Sequence, residues 1–269
     1  MDTIQDTFKR LRHAHRKALI PFVMGGDPNL RTTAQLLFAL EDAGADLIEV
    51  GIPFSDPLAD GPIIQAASSR ALHHGTTPHK IFDTIAAVRQ RLRVPLVCLS
   101  YWNPIVQFGP SGHGTPTPFL RAARHSGFGG LIVPDLPVEE SHALRSAALQ
   151  EQMASIFLAA PTSSPARLRA IARASTGFIY YVSVIGTTGV RRILPSTLMH
   201  GIRQLKLVTT KPVCVGFGIS TPQQAAMVAH LADGVIVGSA LIRVIEGAKN
   251  PQAALRSASR FVKQLRQVV

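Results

Sequence analysis

Cysteine is almost missing from this chain of 269 residues, which has two, Cys98 and Cys214. Both lie inside apolar runs, Leu96 to Leu99 and Val213 to Val215, so neither a disulfide framework nor a cysteine metal site is expected. Such usage belongs to a reducing compartment, here the cytoplasm. Uninterrupted apolar runs of about 18 residues are also lacking, which excludes a transmembrane helix. A secretory leader is only mimicked, by Lys9, Arg10, Arg12, Arg16 and Lys17 ahead of Ala18 to Met24. Asp2 and Asp6 spoil the basic segment, Pro21 interrupts a stretch that is already short, and Gly25-Gly26-Asp27-Pro28 reads as a turn after a strand.

Acidic residues run out partway along the chain. Residues 1–159 hold 14 Lys and Arg against 14 Asp and Glu, whereas residues 160–269 hold 14 against 2, so the whole formal charge of +12 lies in the second part. An excess of this kind attracts nucleic acid, acidic membrane or an anionic substrate. The cations are spaced singly along helical patterns (Arg167, Arg169, Arg173; Arg256, Arg260, Lys263, Arg266), with no run of aromatics between them to stack on bases. A solvated helical face is the better reading, and neither nucleic acid nor membrane is expected as a partner.

What is present is the composition of a globular protein: 46% hydrophobic residues, with 21 Gly and 19 Pro in no collagen-like period. Eight short apolar runs recur, at Leu19–Met24, Leu47–Val50, Val94–Leu99, Gly130–Val133, Ser155–Leu158, Phe178–Val182, Val213–Gly216 and Gly234–Val237. Helical patterns separate most of them, at 32–43, 77–92, 137–151, 164–174, 195–205, 221–231 and 250–268. Fully apolar strands alternating with amphipathic helices require parallel pairing under helical cover. Eight such units in this length predict a single-domain α/β fold, a (β/α)8 TIM barrel over 1–269 with a short N-terminal helix at about 3–17, in preference to an open doubly wound sheet.

In a barrel, chemistry sits on the loops that leave the C-terminal ends of the strands, and the unusual residues lie there. Side chains alternate across a strand, so if Ile48 and Val50 pack under helices, Glu49 points into the mouth. An ionised carboxylate there is costly unless hydrogen-bonded or neutralised, so its pKa should rise, as a general acid or base requires. A structural glutamate tied to backbone or arginine is the plainer alternative. Asp60, between Asp56-Pro57 and Pro62, is either a second functional carboxylate or the cap of a helix beginning near Pro62. Glycine-bearing loops follow the last three strands, and Ser239 opens a helix after Gly238, a place where backbone N–H groups can hold a phosphate. His73, His74, His79 and His113 lack partners at ligand spacing and read as surface residues, so no metal is expected. These residues describe a metal-free barrel enzyme with two carboxylates and a phosphorylated substrate; they do not choose a reaction.

The same loops resemble those of the tryptophan synthase alpha subunit family. The resemblance is carried by Pro21-Phe22 with Gly26-Asp27-Pro28, by the run from Glu49 through Gly51-Ile-Pro-Phe-Ser-Asp-Pro-Leu-Ala-Asp-Gly-Pro62, and by Tyr101-Trp-Asn-Pro-Ile105. Leu131 to Pro137, Ala160-Pro-Thr162, Phe178 to Ser183, Gly186-Thr-Thr-Gly189 and Val215 to Ser220 follow in the same order, from about residue 5 to the end. It implies a lyase of tryptophan biosynthesis that splits indole-3-glycerol phosphate into indole and glyceraldehyde 3-phosphate, without a cofactor of its own. Glu49 would move protons at indole C3 and the glycerol hydroxyl, and Asp60, on a solvated loop and ionised, would stabilise or take the indole N–H.

By the same resemblance Gly189, Gly218, Gly238 and Ser239 contact the phosphate, and Phe22, Leu99, Tyr101, Ile132, Tyr180, Thr188 and Phe217 line the indole slot. Tyr180 is equally readable as a half-buried strand residue. A beta subunit carrying pyridoxal phosphate, in an alpha2beta2 assembly, would receive the indole and touch Asp56, Pro57 and the segment near Asn103. Two places depart from the family pattern. The loop from Gly109 to Pro118 is long, rich in Gly and Pro and not expected to be helical, and Ile185 and Thr187 alter a loop that should close over substrate.

Overall fold

The computed structural model describes residues 3–109, 114–182, 196–216 and 218–269. Strands β1 (Ala18–Met24), β2 (Ile48–Gly51), β3 (Leu96–Leu99), β4 (Phe128–Ile132), β5 (Ala154–Ile156), β6 (Leu158–Ala159), β7 (Ile179–Val182), β8 (Val213–Gly216) and β9 (Gly234–Val237) form one sheet in the order β5-β4-β3-β2-β1-β9-β8-β7-β6. Every pairing is parallel. The two ends of that order are one stretch of chain: β5 and β6 are separated only by Phe157. The stretch pairs with β4 through Ala154–Ile156 and with β7 through Leu158–Ala159, so the sheet closes on itself as an eight-stranded barrel. The expected continuous strand Ser155–Leu158 is therefore divided. In a staggered barrel the two neighbours of a strand engage it over different lengths.

Helices α1 (Ile4–His13), α2 (Leu30–Asp42), α3 (Pro62–His73), α4 (Pro78–Arg89), α5 (Trp102–Val106), α6 (Thr117–Ser126), α7 (His142–Gln150), α8 (Pro165–Ala174), α9 (Ser196–Val208), α10 (Pro222–Ala229), α11 (Ser239–Glu246) and α12 (Pro251–Arg266) accompany the strands. Four of them start on the same two-residue punctuation, Thr77-Pro78, Ser164-Pro165, Thr221-Pro222 and Asn250-Pro251. In each the polar side chain accepts a hydrogen bond from a first-turn N–H, and the proline fills a position whose N–H has no helical partner. Each such cap stabilises its helix by about 1 kcal/mol. Helix α6 is a correction: no helical pattern was expected between the third and fourth strands, and the loop's end at Thr117-Pro118 is helical. Pro118 serves there as an opening proline, and the helix stops at Gly127 with φ of 111°.

Two apolar layers separate cleanly along each strand. Leu19, Val23, Ile48, Val50, Cys98 and Leu131 face outward under the helices. Ala18, Ile20, Leu47, Val97, Ile132 and Ile156 face inward, where Ile4, Phe8 and Leu11 of α1 join them. Phe8 packs 5.8 Å from Phe178, and Gly130 leaves the room that Ile4 fills. Helix α1 thus plugs the end of the barrel at which the strands begin. It ends at His13, short of residue 17, as His15 turns to φ of 52°. The opposite end is left for a site. Among the described residues no helix is long and apolar enough to cross a membrane.

Candidate functional site

The alternation expected for the second strand is what the barrel shows: with Ile48 and Val50 under helices, Glu49 faces inward and is buried, at 1% exposure. Across the sheet it stands level with Phe22 on β1 and Val97 on β3. Its Oε2 has no hydrogen-bond partner. Burial, and secondarily the charge of Asp60, pushes its carboxyl up to about 8. Among the described residues no arginine is paired with Glu49, and Oε2 is tied to neither backbone nor arginine, as the plainer alternative would require.

Asp60 lies on the loop between β2 and α3, and it does not cap that helix: Gly61 occupies the cap, without a side-chain bond, and the charge of Asp60 is felt at Glu49. The Tyr101 hydroxyl donates to Asp60 Oδ2 at 3.0 Å and accepts from the Ala59 N–H at 3.0 Å. Because the Ala59 N–H occupies a lone pair of the phenol, the phenolic hydrogen is free to point at Asp60. Asp60 is half-buried, which corrects the expectation of a solvated loop. Burial raises its pKa to about 6, against the lowering effect of the Tyr101 bond. The two carboxyls differ because Glu49 is the more deeply buried and also feels the charge of Asp60, whereas the Tyr101 hydroxyl offsets part of the burial of Asp60.

The rings expected around them are assembled by close backbone approach. A Cβ on Gly51 would lie 2.8 Å from the Phe22 ring, and one on Gly216 would collide with the Tyr180 hydroxyl, so both glycines make room for an inward ring. Tyr180 is buried, and its pKa is raised by burial and then by the charges of Glu49 and Asp60. Leu99 bridges the barrel interior and an upper apolar cluster of Phe22, Met24, Ile64, Ala67, Ala71 and Ile242. Ile132 lies deeper, fully buried in the interior layer. Thr188, Gly189, Phe217, Ile185, Thr187 and His113 lie outside the described residues.

On the other side of the mouth, α11 begins at Ser239 directly after Gly238, as the sequence predicts. Gly238 sits over Phe22, and a Cβ there would lie 3.6 Å from that ring. Gly218 has φ of 76°, a conformation in which side chains are strained. Free N–H groups at the head of α11, with the helix dipole behind them, suit an anion. Outside the mouth, Asp56 and Asn103 are exposed, Pro57 is half-exposed, and Leu58 beside them is 91% exposed. A groove of about 550 Å³ lined by Phe54, Pro57, Gln65 and Leu72 runs along this loop. His73, His74 and His79 are at the surface, His79 stacked 4.2 Å from Phe108. Among the described residues no group of three or more metal-ligating side chains comes together.

Two features escaped the sequence reading. Tyr101 was expected only as an apolar wall, and nothing in its local sequence shows that its hydroxyl reaches Asp60, 41 residues away. Asp135, in the Pro134-Asp135 turn after β4, accepts from the Trp102 N–H at 2.9 Å and so holds the head of α5; a charged residue in a mouth loop was its only trace in the sequence.

These features define a class: a (β/α)8 barrel with a buried Glu49 and a half-buried Asp60 at its mouth, where a helix also begins directly after the last strand. The comparisons narrow it. The family model described as tryptophan synthase alpha chain matches residues 8–269, and the chain belongs to that family. It is 49% identical over 256 residues to the tryptophan synthase alpha chain of Gloeobacter violaceus, covering 94% of this chain and 90% of that one. It is 41% identical to that of Arabidopsis thaliana, over 98% and 94% of the two chains. The crystal structure of tryptophan synthase subunit alpha from Legionella pneumophila superposes with a TM-score of 0.89 at 36% identity, covering 100% of this chain and 98% of the other.

Proposed function

We propose that Glu49 and Asp60 divide the proton chemistry of this family's reaction between them, and that Gly218, Gly238 and Ser239, with Gly189, grip the phosphate. As a tryptophan synthase alpha chain the protein is a carbon–carbon lyase of tryptophan biosynthesis that cleaves indole-3-glycerol phosphate to indole and glyceraldehyde 3-phosphate and passes the indole to a beta subunit. The bond from indole C3 to the glycerol chain breaks only when C3 has gained a proton, so that the departing electron pair returns to the ring. Glu49, with a pKa of about 8, is mostly protonated at neutral pH and donates that proton. Protonation leaves positive charge at the ring nitrogen. Asp60, with a pKa of about 6, is mostly ionised at neutral pH and offsets that charge by accepting from the N–H. Glu49, now a carboxylate, takes the proton of the adjacent hydroxyl as its carbon becomes the aldehyde, and indole leaves neutral.

The observation that carries this reading is a buried Glu49, whose Oε2 has no hydrogen-bond partner among the described residues, close enough to feel the charge of Asp60, which is itself held by Tyr101. Phe22, Leu99, Tyr101, Ile132 and Tyr180, with Thr188 and Phe217, form the slot. The exposed Asp56, Pro57 and Asn103, around Leu58, make the face for the beta subunit. The setting is the cytoplasm. The test is an assay for indole released from indole-3-glycerol phosphate, with and without a beta subunit. Release that the beta subunit stimulates is the expected result, and no release in either arm refutes the reading.

A further inference from the structure

One side-chain network beside the mouth is not used by the proposed chemistry. Arg70, in the last turn of α3, donates to both carboxylate oxygens of Asp27, Nε to Oδ1 at 2.8 Å and Nη2 to Oδ2 at 2.8 Å. Its remaining arm, Nη1, reaches Glu246 at 2.6 Å. Asp27 is almost completely buried on the loop after β1, and Glu246 is the last residue of α11. One guanidinium therefore fastens three elements together, with the bidentate geometry that makes such a pair directional and strong.

The consequence lies at the other ends of the two helices. The head of α3 follows Asp60-Gly61, and the head of α11 is Gly238-Ser239. Between heads and tails, Ile64, Ala67 and Ala71 of α3 and Ile242 of α11 pack on Phe22 and Met24 of β1. The helices are held by an apolar seam along their length and by the Arg70 fork at their tails, so the fork fixes how far they splay. Resting on the proposed function above, we infer that Arg70 is a positioning residue that sets the separation between the carboxylate at the indole end and the backbone grip at the phosphate end of a substrate spanning both.

The inference distinguishes the whole substrate from its halves. Arg70→Met is expected to lower kcat/KM for indole-3-glycerol phosphate about tenfold, since misplacement of reacting groups by about 1 Å costs up to about a hundredfold. Affinities for indole alone and for glyceraldehyde 3-phosphate alone, each touching one helix head, should stay within about twofold of wild type. A general loosening of the barrel would weaken the halves as much as the whole, and that result overturns the inference. Arg70→Lys, which keeps the charge but not the fork, should fall between. Should Arg70→Met not fold, because Asp27 is left buried and unpaired, Glu246→Ala decides alone: it removes the acceptor of the third arm, its carboxylate is exposed, and its loss leaves Asp27 paired. An about threefold loss of kcat/KM with unchanged product affinities is expected of it, by the same positional argument, and wild-type kinetics overturn the inference. A wild-type protein that releases no indole refutes the reading of the site instead.

Discussion

The two halves of the barrel mouth are built from different parts of the polypeptide. From β1 to β4 the mouth presents side chains: Asp27, Glu49, Asp60, Tyr101 and Asp135, each carboxylate in a separate electrostatic setting. From β8 to β9 it presents backbone at Gly218 and Gly238, and a helix head. Charge follows the same division, acids and cations balancing through residue 159 and cations outnumbering acids 14 to 2 beyond it. Proton transfer needs titratable groups whose pKa values burial can set apart, whereas an anion is best held by N–H groups with no side chain in the way. Damage to the first half should therefore appear in kcat, and damage to the second in KM.

The sharpest break is Glu49→Gln, expected to lower kcat by about a thousandfold while a substrate analogue still binds, as loss of a general acid–base group does. Activity within tenfold of wild type would remove Glu49 from the chemistry. The same substitution tests its burial through stability. A carboxyl raised from 4.5 to about 8 holds a proton in the folded state that the unfolded chain has lost, so stability declines as pH rises through that window. Thermal unfolding between pH 5 and 9 should show a flatter decline in Glu49→Gln.

Asp60→Asn should cost about a hundredfold in kcat/KM. In the wild type, kcat/KM should rise as the acid pair loses its first proton near pH 6 and fall as it loses the second near pH 8. The Asn variant should lose the rising limb, and a profile unchanged in shape would remove Asp60 from it. In the other half, Gly238→Ala has space beside Phe22, so the fold should survive while the new methyl crowds the anion; a rise in KM of about tenfold with kcat nearly unchanged is expected. The smallest effect belongs to the exposed cations of α12. Replacing Arg256, Arg260 and Lys263 by Gln should raise KM about twofold at low salt and not at all at high salt, because such charges act only through a screened field. Equal effects at both salt levels would show that they do more than attract the substrate.

The fold was legible in the sequence because it depends on local rules. Period-2 and period-3.6 apolar patterns, with caps such as Thr77-Pro78 and Asn250-Pro251, mark most strands and helices independently of one another. Helix α6 was missed because Pro116 and Pro118 look like breakers until the chain direction shows them opening a helix. Glu49 was legible for the same local reason: Ile48 and Val50 on either side of it fix which way it points.

The sequence by itself determined the barrel and the inward direction of Glu49, since each follows from residues within a few positions of one another, but it left Asp60 open between a functional carboxylate and a helix cap. Only the tertiary structure decided what those carboxylates are. The bond from Tyr101 to Asp60 and the fork from Arg70 to Asp27 and Glu246 join residues 41, 43 and 176 positions apart. A pKa or a helix spacing depends on what surrounds a group in space, and distant residues become neighbours only when the barrel closes.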